Sequence, residues 1–155
     1  MRKSSLSLQA VPEKVIRWSD QLGLKVDAAF EPSGDETLFP NRVLIKGDEA
    51  SWLAANKGAA IDALQFLIHE AQGEREDSKL AYLDPQGTRL FRMKELKAMA
   101  AFAADKAKEL GSFALSGLTP RERRWVHLTI SQVPGLSTES EGIGHIKTLK
   151  VFRSA

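Results

Sequence analysis

The stretch TPRERRWVHLTISQ, Thr119–Gln132, carries three helix-start signals in its first four residues. The Thr119 hydroxyl can accept the backbone N–H of Glu122, and the Glu122 carboxylate can reach back to the Thr119 N–H. Pro120 fills the first helical position, where a missing donor is harmless. A cap of this kind is worth ~1 kcal/mol, and it fixes the helical phase. Val126, Ile130 and Val133 then fall on a core face, with Trp125 and Thr129 beside them. Arg123 and His127 lie four apart and Arg124 three from His127, so all three cluster on the opposite face. Arginine offers a planar fork of donors to phosphate oxygens, while histidine donates a hydrogen bond or stacks on a base. The spacing alone fits a solvated helix face as well as a binding face.

Around this helix the pattern is α+β. Phe113–Leu115 reads as a short strand before it. Leu136–Glu141 and Ile146–Phe152 read as two strands after it, joined by the turn Gly142-Ile143-Gly144. Charge is uneven along the chain. The net charge is +2, and residues 121–155 hold Arg121, Arg123, Arg124, Lys147, Lys150 and Arg153 against Glu122, Glu139 and Glu141. His127 and His145 sit in the same stretch. A local basic patch is the footprint expected for a polyanion, although a slightly basic solvated face has the same charge count.

Upstream, a long helix from Thr88 to Leu110 carries Leu90, Met93, Leu96, Ala100, Ala103, Ala107 and Leu110 on its core face, and Gly111 stops it. Before it, Lys79–Leu83 reads as a strand and Asp84–Gly87 as a turn. A helix over about Ala59–Ala71 has the apolar stripe Ile61, Leu64, Leu67, Ile68 and Ala71. A short helix around Glu49–Ala55 precedes it across a break. Extended stretches near Leu24–Phe30 and Asn41–Ile45 flank the turn-rich Pro32–Asp35. The first helix starts at Pro12, with Val15, Trp18 and Leu22 on one face. Residues 1–11 read as a flexible, polar tail. Trp18, Trp52 and Trp125 are expected in the core, and His69 as a partly exposed structural histidine.

Composition excludes several chemistries. At 43% hydrophobic and 27% charged residues the chain can build a core. No apolar run approaches the ~20 residues that span a bilayer, and Met1–Ser7 lacks the apolar segment of a secretory signal. With no cysteine there are no disulfides, thiolate metal sites or thiol nucleophiles. The three histidines are far apart and have no metal-ligand spacing. Glu122 is engaged by the cap, and no second carboxylate pair or glycine-rich phosphate loop is present, so no catalytic residue, metal or cofactor is assigned. The expected location is the cytoplasm.

Two resemblances sharpen this reading. The run ERRWVH at Glu122–His127, then PGLSTESEG at Pro134–Gly142, then a basic strand, resembles the R-3-H domain over about 113–153. That family is named for the Arg-x-x-x-His spacing and is known for binding single-stranded DNA and RNA. The resemblance implies Arg123 and His127 as the signature pair, with Arg124 as the second arginine of the run. Thr138, Ser140 and Gly142 match its T-x-S-x-G segment. Lys147 stands where the family usually has arginine, which keeps the charge but loses the bidentate fork.

Further upstream, KGAAIDALQFL at Lys57–Leu67 and LDPQGTR at Leu83–Arg89 resemble segments of bacterial KH domains. KH followed by R-3-H is the layout of the Jag family, bacterial RNA-binding proteins linked to cell elongation and envelope growth. Against that family, the separate Jag N-terminal domain and its linker are missing. KH domains clamp the nucleic-acid backbone with a Gly-x-x-Gly loop. Here the loop aligns to Ala55-Asn56-Lys57-Gly58, so a methyl group replaces the first glycine and Ala60 the usual threonine. Asn56, Lys57 and Gly58 are its remaining candidate contacts. One reading is a weakened groove; the other, slightly favoured, is a KH fold kept for packing or for pairing with another KH protein.

The resemblances imply an α+β chain: a flexible tail (1–11), a type II KH-like domain (αββααβ) with a long connecting helix (12–110), and a small α/β R-3-H domain (111–155). The implied function is a non-enzymatic regulator that binds single-stranded RNA, and by extension single-stranded DNA, along its phosphates. The alternative is a protein-interaction adaptor with a degenerate KH domain.

Overall fold

The computed structural model describes residues 5–144 and 147–155. Expectations on residues 1–4, on His145 and on Ile146 as the start of the last strand lie outside the described residues. The chain divides into two compact units, Met1–Leu90 and Phe91–Ala155.

The first unit runs α1 (Val11–Gln21), β1 (Asp27–Phe30), β2 (Arg42–Lys46), α2 (Ser51–Gln72) and β3 (Tyr82–Pro85), then the first turn of α3 (Thr88–Leu110). Its sheet has the order β1-β2-β3. β1 pairs antiparallel to β2, and β2 pairs parallel to β3 from Arg42↔Tyr82 to Ile45↔Pro85. Parallel neighbours need a long crossover, which α2 supplies. Four residues with non-helical dihedrals, Ala55–Gly58, break α2 into two segments. The helical elements and strands therefore follow the expected order αββααβ. Val11, Val15, Val43, Ile45, Leu53, Ile61, Leu64, Ile68 and Leu83 form the core.

Several sequence expectations shift here. The tail is held from residue 6 onward: Leu6 N–H donates to the Ala71 carbonyl at 2.8 Å, and Leu6 and Leu8 pack on the core. Leu8–Ala10 already forms a 3₁₀ turn. On α1 the buried residues are Val11, Val15 and Ser19, and Leu22 is 70% exposed. The strand expected at Lys79–Leu83 starts later, because Asp77–Lys79 is a 3₁₀ turn and Asp84 belongs to the strand. Asp84 is fully buried because it is fully paired. It accepts from Arg42 Nε at 2.7 Å, from the Arg89 N–H at 2.8 Å and from the Leu90 N–H at 3.3 Å. A carboxylate at the start of α3 also meets the positive end of that helix.

The second unit comprises α3 from Phe91, β4 (Ser112–Leu118), α4 (Pro120–Ser131), β5 (Leu136–Glu141) and β6 (Lys147–Arg153). Its sheet is antiparallel in the order β4-β6-β5, with Thr138 opposite Val151 and Ser140 opposite Leu149. The β4–β6 register slips between Leu115 and Leu118, where Gly117 takes φ +75°. Met93, Leu96, Ala100, Ala103 and Ala107 of α3 are buried, as are Leu118, Trp125, Val126, Ile130, Leu149 and Val151. Placing a domain boundary at 110/111 would cut α3 from this unit. Phe102 meets Phe113 edge to face at 5.6 Å, and Arg92 pairs with Glu122 at 2.7 Å. Leu110, expected on the core face, is 65% exposed.

Candidate nucleic-acid interface

The start of α4 has the predicted cap. Thr119 Oγ1 accepts the Glu122 N–H at 3.3 Å, and Glu122 Oε2 accepts the Thr119 N–H at 2.9 Å. The second carboxylate oxygen, Oε1, accepts Arg92 Nε at 2.7 Å. Burial alone would raise the Glu122 carboxyl, but the Arg92 guanidinium and the Thr119 N–H outweigh it and hold it below the ordinary range. The same bond to Glu122 raises Arg92 above the usual arginine value.

With the phase fixed, Val126 and Ile130 turn inward, and Arg123, Arg124 and His127 come to one side. They line a groove of about 400 Å³ together with Pro120, Thr138, Ser140 and Leu149. Three devices order its walls. Arg123 Nη1 donates to the Leu118 carbonyl at 2.7 Å, just past the Gly117 bulge. Thr138 Oγ1 hydrogen-bonds His127 Nδ1, which leaves Nε2 as the ring nitrogen for a ligand. Cross-strand pairing of β5 with β6 puts Thr138 and Ser140 on the same sheet face as Val151 and Leu149, the face whose Val151 and Leu149 are buried.

Five of the sequence-derived residues thus meet in one groove: Arg123, Arg124, His127, Thr138 and Ser140. Gly142 and Lys147 do not line it. They lie next to each other where β5 and β6 join, a Cβ built on Gly142 falling 4.0 Å from Lys147 Cα. Lys147 is two residues before Leu149 and so belongs to the groove side of β6. Pro120 and Leu149 supply an apolar edge that polarity and charge in the sequence do not reveal. Among the described residues the lining has two guanidiniums, an imidazole and two hydroxyls, and no carboxylate. Such a donor set suits an anion with several oxygens.

The other candidate contacts, Asn56, Lys57 and Gly58, lie in the first unit. All three have left-handed dihedrals, with φ of 53°, 58° and 80°. Ala55, at the position of the first glycine, has φ −66° and ψ 165°, an ordinary extended conformation for alanine. The methyl group therefore costs no backbone strain, whereas Asn56 and Lys57 do carry it. Trp52, expected in the core, is 69% exposed on the first segment of α2. His69 fits its structural reading: Nε2 lies 2.6 Å from the Ala81 carbonyl, and its ring meets Tyr82 edge to face.

The fold and the groove agree with a family comparison: residues 94–153 match the R-3-H domain. The match begins inside α3, as the division into two units does. RNA-binding protein KhpB of Clostridium symbiosum is 28% identical to the chain over 143 residues, which cover 91% of this chain and 63% of that relative. The chain therefore spans a little under two thirds of the length of the curated relative it matches.

Proposed function

We propose that the chain is a non-catalytic regulator that binds single-stranded RNA along its phosphate backbone. The observation that carries this reading is the carboxylate-free groove beside α4, where Arg123, Arg124, His127, Thr138 and Ser140 converge. The two arginines take phosphate oxygens, His127 adds a donor through Nε2, and the hydroxyls complete the cradle. Lys147 and Gly142 extend the contact toward the β5–β6 turn. Phosphate contacts position a strand without reading its bases, so little sequence preference follows, and single-stranded DNA is a second ligand. The R-3-H match and the relative named for RNA binding support the choice of polyanion.

The first unit is a KH-like domain on this reading, and the whole has the Jag layout, with a place in cell elongation or envelope growth. Its αββααβ order and interrupted α2 support the KH assignment. Among the described residues no helix is long and apolar enough to cross a membrane, which suits work on cytoplasmic RNA. The test is binding of labelled single-stranded RNA by Arg123→Ala/His127→Ala. Retention is lost at unchanged thermal stability, and wild-type affinity falls with salt by ~0.7 in log K per log salt for each phosphate contacted. Wild-type binding by the double variant would sink the site.

A second reading, an adaptor that pairs with another KH protein, is favoured by one observation. The second segment of α2 has an outward stripe of Ala59, Ala63, Phe66 and Leu67, with Phe66 63% and Leu67 53% exposed. Purification from cells with and without RNase separates the readings, since an adaptor keeps its partners once RNA is destroyed.

A further inference from the structure

A capping box on an exposed helix leaves one carboxylate oxygen to water. In α4 that oxygen is taken: Arg92, thirty residues earlier on α3, donates to Glu122 Oε1 at 2.7 Å. Glu122 is only 12% exposed, and Arg92 reaches Glu95 at 3.3 Å, which lays its guanidinium along α3. The bonds around this point form a closed set. Glu122 and Thr119 hold each other, the Arg123 N–H donates to the Thr119 carbonyl at 2.9 Å, and the Arg123 side chain donates to Leu118. The direction in which the chain leaves β4 and the placement of the Arg123 guanidinium are therefore fixed by the same few residues. Arg92 is the member of that set contributed by another helix.

We propose that Arg92 is a positioning residue for the α4 groove: it touches no nucleic acid but sets the first turn from which Arg123, Arg124 and His127 project. The proposal rests on the nucleic-acid reading of that groove. Pre-set donors bind without the cost of ordering them on contact, so loosening the first turn weakens affinity while the number of phosphates contacted stays the same.

The experiment uses the full chain with Arg92→Ala, Arg92→Lys, Glu122→Gln and the double Arg92→Ala/Glu122→Gln. Two readouts are taken: amide hydrogen exchange at Thr119 and Arg123, and affinity for a uridine decanucleotide across salt and pH. Arg92→Ala is expected to speed exchange at both amides and to weaken binding about fivefold with an unchanged salt slope. Its loss of binding in acid moves to higher pH, because Glu122 no longer has the guanidinium that keeps it ionised. Arg92→Lys recovers part of the affinity, and the double variant is no weaker than Arg92→Ala alone. Unchanged exchange in Arg92→Ala overturns the proposal. So does a salt slope reduced by ~0.7, which makes Arg92 a phosphate contact itself. If Arg123→Ala/His127→Ala binds like wild type, the reading of the groove fails instead, and the exchange rates still decide whether Arg92 holds the turn.

Discussion

The second segment of α2 begins after Ala55–Gly58, and α4 begins after Thr119; each helix start leaves first-turn N–H groups without helical partners. The two are built differently. In α2 the chain turns through three consecutive left-handed residues, two of which carry side chains, and the loop residues Ala55, Asn56 and Lys57 are all exposed. In α4 the turn is closed by side chains: Thr119, Glu122 and Arg92 satisfy one another, and Arg123 is tied to Leu118. Strained backbone costs of order 1–3 kcal/mol per residue and persists where surrounding structure or a ligand sustains it. A closed hydrogen-bonded turn persists unaided and aims the side chains that follow. The difference locates the stronger nucleic-acid contact at α4 and leaves the α2 loop a supporting place.

The widest gap between the two appears in RNA affinity. Charge-assisted hydrogen bonds contribute ~1.5–3 kcal/mol each, so Arg123→Ala/His127→Ala is expected to lower affinity on the order of 100-fold. Exposed charges contribute ~0–1 kcal/mol, so Lys57→Ala lowers it by less than about fivefold. Filter binding at fixed salt compares them directly. Equal losses would return the α2 loop to the first rank.

A smaller effect tests the loop's strain. Gly58 sits at φ +80°, where a Cβ would meet Ile61 Cγ2 at 3.4 Å and Arg89 Nη2 at 3.7 Å. A side chain in the left-handed region costs ~1–2 kcal/mol, so Gly58→Ala destabilises the first unit by about that amount. Amide exchange on β2 and β3 reads the loss. An unchanged pattern would show that the loop relaxes at no cost.

How far these features were legible follows from their range along the chain. The capping box spans Thr119–Glu122, and its partners are fixed by helical geometry, so residue types alone place it. The groove needed two more elements. Thr138 and Ser140 were reached through family resemblance, whereas Leu149 depends on the β5–β6 register, which no local pattern states. The Arg92–Glu122 pair joins separate helices and leaves no trace in periodicity. Apolar spacing misplaced Leu22, Leu67 and Leu110, because it marks a stripe without saying how wide a face the neighbours cover. Trp52 was misplaced for the same reason: its hydrophobicity is local information and its burial is not. Asp84 read as a turn residue because a buried carboxylate is explained only by Arg42, which sits on a strand far back in sequence.

The next effect concerns the cap. Thr119→Ala removes the acceptor for the Glu122 N–H and costs ~1 kcal/mol in the second unit. Acid acts on the same place. Glu122 has a folded pKa below its unfolded value of about 4.3. Its contribution is therefore fully present above that value and is lost as pH falls through the lower, folded one. Exchange protection of α4 drops over that acid range in wild type, and Glu122→Gln removes this component of the drop. Identical acid profiles in the two proteins would contradict the role given to the carboxylate.

The smallest expected effect is the most direct probe of the comparison. Ala55→Gly rebuilds the Gly-x-x-Gly pattern of the α2 loop. Because Ala55 already has φ −66° and ψ 165°, glycine relieves no strain and only adds freedom to the unfolded chain, a cost of ~0.4–1 kcal/mol. If the loop is a secondary contact, RNA affinity stays within about twofold, below the ~1 kcal/mol scale of one exposed charge. A large gain in affinity would mean that a single methyl group, standing where phosphate must approach the main chain, had silenced a contact as strong as the one at α4. The two helix starts would then be equivalent sites, one of them closed by side-chain volume and not by backbone geometry.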